Sequence, residues 1–153
     1  MDRGKPDTRV DSVSRTLAVV GDHWTFLVLR EAFFRVRRFD QIQQNLGISR
    51  NILTGRLRHL VKHGILRKER YQERPPRFEY RFTAKGLDLY GITVALMAWG
   101  DKWLAGPAGP PLRLVHKPCR QIASPHLVCG HCGRKILARD MDFMPGPGAM
   151  PAA

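Results

Sequence analysis

Two clusters of side chains in this chain are spaced for chemistry. The first is Ser49-Arg50-Asn51 followed by Thr54, Arg58 and Lys62. Steps of three and four bring such residues onto one face of a helix. Leu53, Leu57, Leu60 and Val61 form an apolar stripe on the other face. A helix of this diameter fits the major groove of double-stranded DNA, with its first residues at the base edges. Arg reads guanine and Asn reads adenine through paired hydrogen bonds, whereas Ser and Thr more often hold phosphate. Arg50 and Asn51 are therefore the candidates for base contacts, and Ser49, Thr54, Arg58 and Lys62 for the backbone. Arg37 and Arg38 stand just before a further helix, whose positive end can meet a phosphate. Arg74 and Arg77 flank Pro75-Pro76 at a hairpin tip, a placement that suits phosphate or a narrow minor groove.

The second cluster is His116-x-x-Cys119 and, after nine intervening residues, Cys129-Gly130-His131-Cys132-Gly133. A C-x-x-C followed by Gly directs two thiolates at one ion, and His116 with Cys119 supplies a second pair, giving a Cys₃His tetrahedron for one structural zinc. His126 or His131 competes for the fourth position. Two other readings stay open: a reversible Cys129–Cys132 disulfide, and unliganded cysteines in a loose tail. The first two would also allow a metal- or thiol-responsive regulator.

Nothing else in the chain is arranged for catalysis. It has no glycine-rich phosphate loop and no Ser or Cys in a nucleophile motif. His59 and His63 lie one helical turn apart without a third ligand, and are read as solvated or phosphate-facing. An enzyme is not expected.

The charge balance agrees. The 153 residues carry 26 Lys and Arg against 13 Asp and Glu, a net +13, which favours a polyanionic partner. From Arg30 to Arg81 there are 14 cations and five acids, so most of the excess lies on the first cluster and its surroundings. Three Cys are odd in number and too few for a disulfide framework, as expected of a reducing cytoplasm. Met1-Asp2-Arg3-Gly4-Lys5-Pro6 lacks the apolar core of a secretion signal. The apolar run Leu89–Gly100 is well short of the ~20 residues that cross a bilayer, so no membrane role is expected.

Local patterning supplies the elements that position these residues. Helices are predicted over Ser12–Val20, His23–Arg35 behind an Asp22 cap, Phe39–Leu46 closed by Gly47, and Arg50–His63 behind Ser49. The pattern then shifts to period two, predicting strands Ile65–Tyr71 and Phe78–Phe82. Thr83 caps a long last helix, Ala84–Leu104. One of its apolar stripes is Leu87, Tyr90, Val94 and Met97. The other is Leu89, Ile92, Leu96, Trp99 and Trp103, whose 3-4 spacing is that of a helix–helix seam between two copies of the chain. The predicted class is mainly α (α+β): a winged helix-turn-helix with a long dimerisation helix and a small Cys/His tail.

Several runs resemble one family. Gly21-Asp22-His23-Trp24-Thr25 with Leu27-Val28-Leu29-Arg30 is similar to the opening of HxlR-type transcriptional regulators. Arg38-Phe39-Asp40-Gln41-Ile42 resembles that family's third helix. Gly47-Ile48-Ser49, Ile52-Leu53-Thr54, Arg56-Leu57-Arg58 and Leu60 resemble its recognition helix. Gly64-Ile65-Leu66-Arg67-Lys68, then Pro76, Tyr80, Thr83 and Gly86, are similar to its wing, and Trp99-Gly100 with Trp103 to the close of its last helix.

The resemblance spans Ser12 to Leu104. It implies a homodimer that binds pseudo-palindromic promoter DNA, as repressor in preference to activator, with a hollow between dimer helices and wing for an unknown small-molecule effector. The Cys that many relatives carry ahead of the first helix is absent from Val10-Asp11-Ser12-Val13, which removes a thiol sensor there. A winged-helix adaptor or RNA-binding module is the competing function, and Arg50, Asn51 and Arg58 count against it. The resulting organisation is an arm at 1–11, the DNA-binding and dimerisation domain at 12–104, a Gly/Pro linker at 105–115, the zinc-knuckle-like tail at 116–143 and a disordered end at 144–153.

Overall fold

A computed structural model describes residues 11–147. The expected arm, except for Asp11, and residues 148–153 of the expected disordered end lie outside that range. The chain divides into two compact units, one through Thr93 and one from Val94.

The first unit is a winged helix-turn-helix. Helix α1, Ser12–Val20, starts where the Asp11 carboxylate accepts the Ser14 N–H at 2.7 Å. Helix α2, His23–Phe33, starts likewise at Asp22. It is the buried centre: Val28 and Leu29 are fully enclosed. Sequence patterning extends this helix to Arg35, but it ends two residues earlier. Arg35 takes a left-handed φ of 65°, and the Val36 N–H reaches back to the Glu31 carbonyl, the closure of a helix C-terminus rather than a further turn.

Helix α3, Phe39–Leu46, stops at Gly47, whose left-handed φ of 60° an L side chain would strain. Ser49 then caps α4, Arg50–Lys62, which buries Leu53, Leu57 and Leu60. The Glu31 carboxylate, almost enclosed, is held by Arg30 and by Asn45 of α3, each at 2.8 Å. A buried charge is tolerated only with such partners.

Strand β1, Leu66–Gln72, pairs antiparallel with β2, Arg77–Phe82, in the register Leu66↔Phe82 to Arg70↔Phe78. The link between α2 and α3 joins this sheet by one bridge, Arg38↔Glu79, and the Tyr80 N–H donates to the Arg37 carbonyl at 2.8 Å. The wing is thereby tied to the start of α3.

The single helix expected over Ala84–Leu104 is two helices, α5 (Ala84–Leu87) and α6 (Tyr90–Trp103). At the break the Leu89 N–H bonds the Gly86 carbonyl, three residues back instead of four, and the Thr93 N–H restarts the ladder on Leu89. Gly86 is itself pinned against the Ile65 carbonyl. The tighter turn places Leu89 in the core with Ile65 and Leu66.

The second unit contains the rest of α6 and two short chain reversals. Strands β3, Val115–His116, and β4, Gln121–Ile122, form the first. An isolated bridge, Val128↔Lys135, closes the second. A single 3₁₀ turn follows at Ala138–Asp140. Among the described residues no helix is long and apolar enough to cross a membrane.

Gly86 and Gly55 should respond oppositely to alanine. A Cβ at Gly86 would lie 2.2 Å from the Ile65 carbonyl oxygen and 2.7 Å from a Phe82 ring carbon, whereas one at Gly55 meets nothing within 4 Å. Gly86→Ala should lose about 1–3 kcal/mol of stability through overpacking, and Gly55→Ala, inside α4, should gain about 0.5–1 kcal/mol. Urea titrations of the two variants against the parent check both signs.

Candidate nucleic-acid interface

The apolar side of α4 is taken up by the core, so its other side is left to solvent. Arg50, Asn51, Arg58 and Lys62 are exposed there and Thr54 is half-buried. Aromatic rings steady two of the cations: the Arg50 guanidinium lies 4.8 Å from the Phe39 ring centroid, and that of Arg38 lies 4.6 Å from Tyr71. Such contacts hold a charged head near an apolar surface without neutralising it.

Two grooves run between α4, the start of α3 and the wing. One, of about 520 Å³, is lined by Arg38, Phe39, Arg50, Lys68, Tyr71 and Arg77 among others. The other, of about 370 Å³, is lined by Thr54, Arg58, Lys62, Lys68 and Tyr80 among others. Phe39, Lys68 and Tyr80 belong to both, so the grooves adjoin. Burial pushes the Tyr80 phenol above its usual range, with the Arg58 charge pulling the other way.

The ion pairs divide the cations of this region into two sets. Arg30 pairs with Glu31, Arg56 with Asp22, Arg67 with Glu69, Arg70 with Glu73, and Arg81 with Glu69 and Glu79. Among the described residues, no acid pairs with Arg37, Arg38, Arg50, Arg58, Lys62, Lys68, Arg74 or Arg77. The unpaired set lines the grooves or flanks them.

Most of the residues singled out from sequence come together here. Arg38, Arg50 and Arg77 surround the first groove, and Thr54, Arg58 and Lys62 the second. Asn51 and Arg74 are exposed outside both. Arg37 contributes a backbone carbonyl to the wing, and its side chain is half-buried. The Ser49 hydroxyl is engaged by the Ile52 N–H at 3.3 Å as the helix cap. Lys68 was not legible as a site residue. It pairs with Tyr80 across the sheet, its ammonium 4.1 Å from the Phe78 ring centroid, and only the register of the wing turns it towards α4.

His59 also departs from expectation. Its Nε2 lies 2.8 Å from the Val19 carbonyl oxygen, tying α4 to α1 rather than facing phosphate. Its ring stands 4.5 Å from that of His63.

On the presumed seam, Ile92, Leu96, Trp99 and Trp103 are 45%, 52%, 58% and 63% exposed. Leu89 is a correction: the break before α6 buries it in the core of its own unit, so it is not available to a seam. In the tail, His116 Nδ1 is 3.3 Å from Cys119 Sγ. The backbone N–H groups of Cys132 and His131 donate to the Cys129 sulfur and hold that thiol below its ordinary range. All three cysteines are free. Among the described residues, no three His, Cys, Asp or Glu side chains gather as a metal set, so the four donors stand as two pairs.

A capped recognition helix flanked by a cationic wing defines the winged helix-turn-helix class of DNA-binding transcription regulators. The profile of the HxlR-like helix-turn-helix family matches residues 19–107, and the chain belongs to that family. It is 51% identical over 138 residues to the HTH-type transcriptional regulator Rv3095 of Mycobacterium tuberculosis, covering 90% of this chain and 87% of that one. It is 39% identical over 93 residues to the HTH-type regulator sll1512 of Synechocystis, covering 60% and 69%. The crystal structure of PA1607, a candidate transcription factor, superposes with a TM-score of 0.81 at 34% identity over 91% of this chain and 97% of that one. These relatives are transcription regulators, not enzymes, and so is this chain.

Acid should destabilise the first unit through His63. Partial desolvation, then the charges of His59, Lys62 and Lys85, hold its imidazole below the usual 6.5. The unfolded chain then binds the proton more readily, so this contribution is complete above pH 6.5 and is lost as pH falls through 6.5 to the lowered folded value. Urea midpoints at pH 7.5 and 5.5 should show a smaller acid loss in His63→Gln than in the parent.

Proposed function

We propose that the chain acts as a cytoplasmic homodimer that binds pseudo-palindromic double-stranded DNA and represses by occupying promoters. α4 enters the major groove, where Arg50 and Asn51 read base edges. Arg58, Lys62, Lys68 and Arg38 neutralise phosphates, and Arg74 and Arg77 on the wing contact backbone or minor groove.

The observation that carries this reading is where the unpaired cations stand: Arg38, Arg50, Lys68 and Arg77 line one groove beside α4, and Arg58, Lys62 and Lys68 line the adjoining one, while the acids of the wing pair with Arg67, Arg70 and Arg81. A phosphate-binding face must leave its cations available, and these are gathered on one side of the unit. Dimerisation is supported by α6, where Ile92, Leu96, Trp99 and Trp103 expose large apolar side chains at helical spacing. Apolar surface of that kind marks an association site. Two copies would set two recognition helices against two half-sites.

Two measurements test the roles. On a selected operator, Arg50→Ala should cost about 1–3 kcal/mol and relax preference at one base position, while Arg74→Ala should weaken all sequences alike and lower the salt slope by about one. Trp99→Glu should sediment as a monomer and lose specific binding at the same time, and a monomer that still binds at full strength would overturn the seam.

A further inference from the structure

Residues 104–147 contain no buried side chain, yet their backbone makes two well-defined reversals. A segment this short without a core is ordinarily held by a disulfide, a metal or a partner.

The two reversals are built alike. In the first, His116 and Cys119 are three residues apart, the Arg120 N–H donates to the His116 carbonyl at 2.7 Å, and Arg120 takes a left-handed φ of 60°. In the second, Cys129 and Cys132 are three apart, the Gly133 N–H donates to the Cys129 carbonyl at 2.8 Å, and Gly133 takes a φ of 69°. Each turn thus carries two donors three apart and then one left-handed residue. Arg120 adopts that conformation without being glycine, which an L side chain does only when its surroundings require it.

Strand pairing closes both turns: Val115↔Ile122 and His116↔Gln121 at the first, Val128↔Lys135 at the second. The donors also face each other in the first turn, where His116 Nδ1 is 3.3 Å from Cys119 Sγ.

We propose that the tail is a zinc ribbon in which one Zn²⁺ is bound by His116, Cys119, Cys129 and Cys132. Three thiolates and one imidazole are a tetrahedral zinc set. The donors stand as two pairs rather than one cluster among the described residues, so the metal draws two preformed turns together and supplies the tie that a core would otherwise provide. As the three Zn–S bonds form, three thiol protons pass to solvent, and binding weakens in acid.

The test uses the full chain without a histidine tag, purified in reductant. Elemental analysis should give about one zinc per chain, and cobalt in its place should show the ligand-field absorption of a tetrahedral thiolate site. Cys119→Ser and Cys132→Ser should each lower zinc below ~0.3 per chain and abolish the cobalt spectrum. His116→Ala should do so too, with far-UV dichroism reporting whether α1 to α4 stay folded. A reduced parent chain with less than ~0.3 zinc and no cobalt spectrum overturns the site. So does full zinc in Cys119→Ser or His116→Ala, since a two-cysteine site with other ligands would then be the binder.

Discussion

Leu53, Leu57 and Leu60 share one core with Val28 and Leu29 of α2, and this packing fixes the roll of α4 about its own axis. A slip of one residue would turn the helix by about 100°, bringing Thr54 and Arg58 towards the core and exposing leucines. Removing one such leucine typically costs about 2–5 kcal/mol, so the roll is strongly specified. With the apolar side fixed inward, Arg50, Asn51, Arg58 and Lys62 have nowhere to go but outward. The Ser49 cap and the left-handed turn at Gly47 set where the helix begins, and so which residues stand at its leading end.

The wing depends on the same constraint one step removed. Ile65 and Leu66 carry the chain out of that core into β1, and the Arg38↔Glu79 bridge ties the sheet to the start of α3. Glu69, Glu73 and Glu79 are occupied by Arg67, Arg70 and Arg81, which leaves Lys68 and Arg77 to the groove. The acids of the wing are therefore engaged by Arg67, Arg70 and Arg81 and not by the groove-lining Lys68 and Arg77.

What was legible in the sequence was local. The leucine stripe of α4, the caps at Asp22 and Ser49, and the alternation of Phe78, Tyr80 and Phe82 are spacing signals, and the elements they predict are present; the cap at Thr83 marks where α5 starts but not the break that follows it. What escaped depends on residues distant in the chain. Lys68 is a groove residue because of strand register, and His59 is an α1 anchor because Val19 lies beside it. Leu89 fits a seam by period alone, yet Gly86 against Ile65 shortens the turn and draws it inward. The donor pairs of the tail were legible by spacing, whereas the matching left-handed turns behind them belong to the backbone.

The central claim is that two copies of α4, held in fixed relation by α6, read two half-sites. Selection from a pool of randomised duplexes tests it most directly. The expected product is an inverted repeat whose half-site centres lie about one helical turn, roughly 10 base pairs, apart. A pool without an enriched motif, or with a single unrepeated half-site, alongside tight binding of single-stranded RNA, would contradict it.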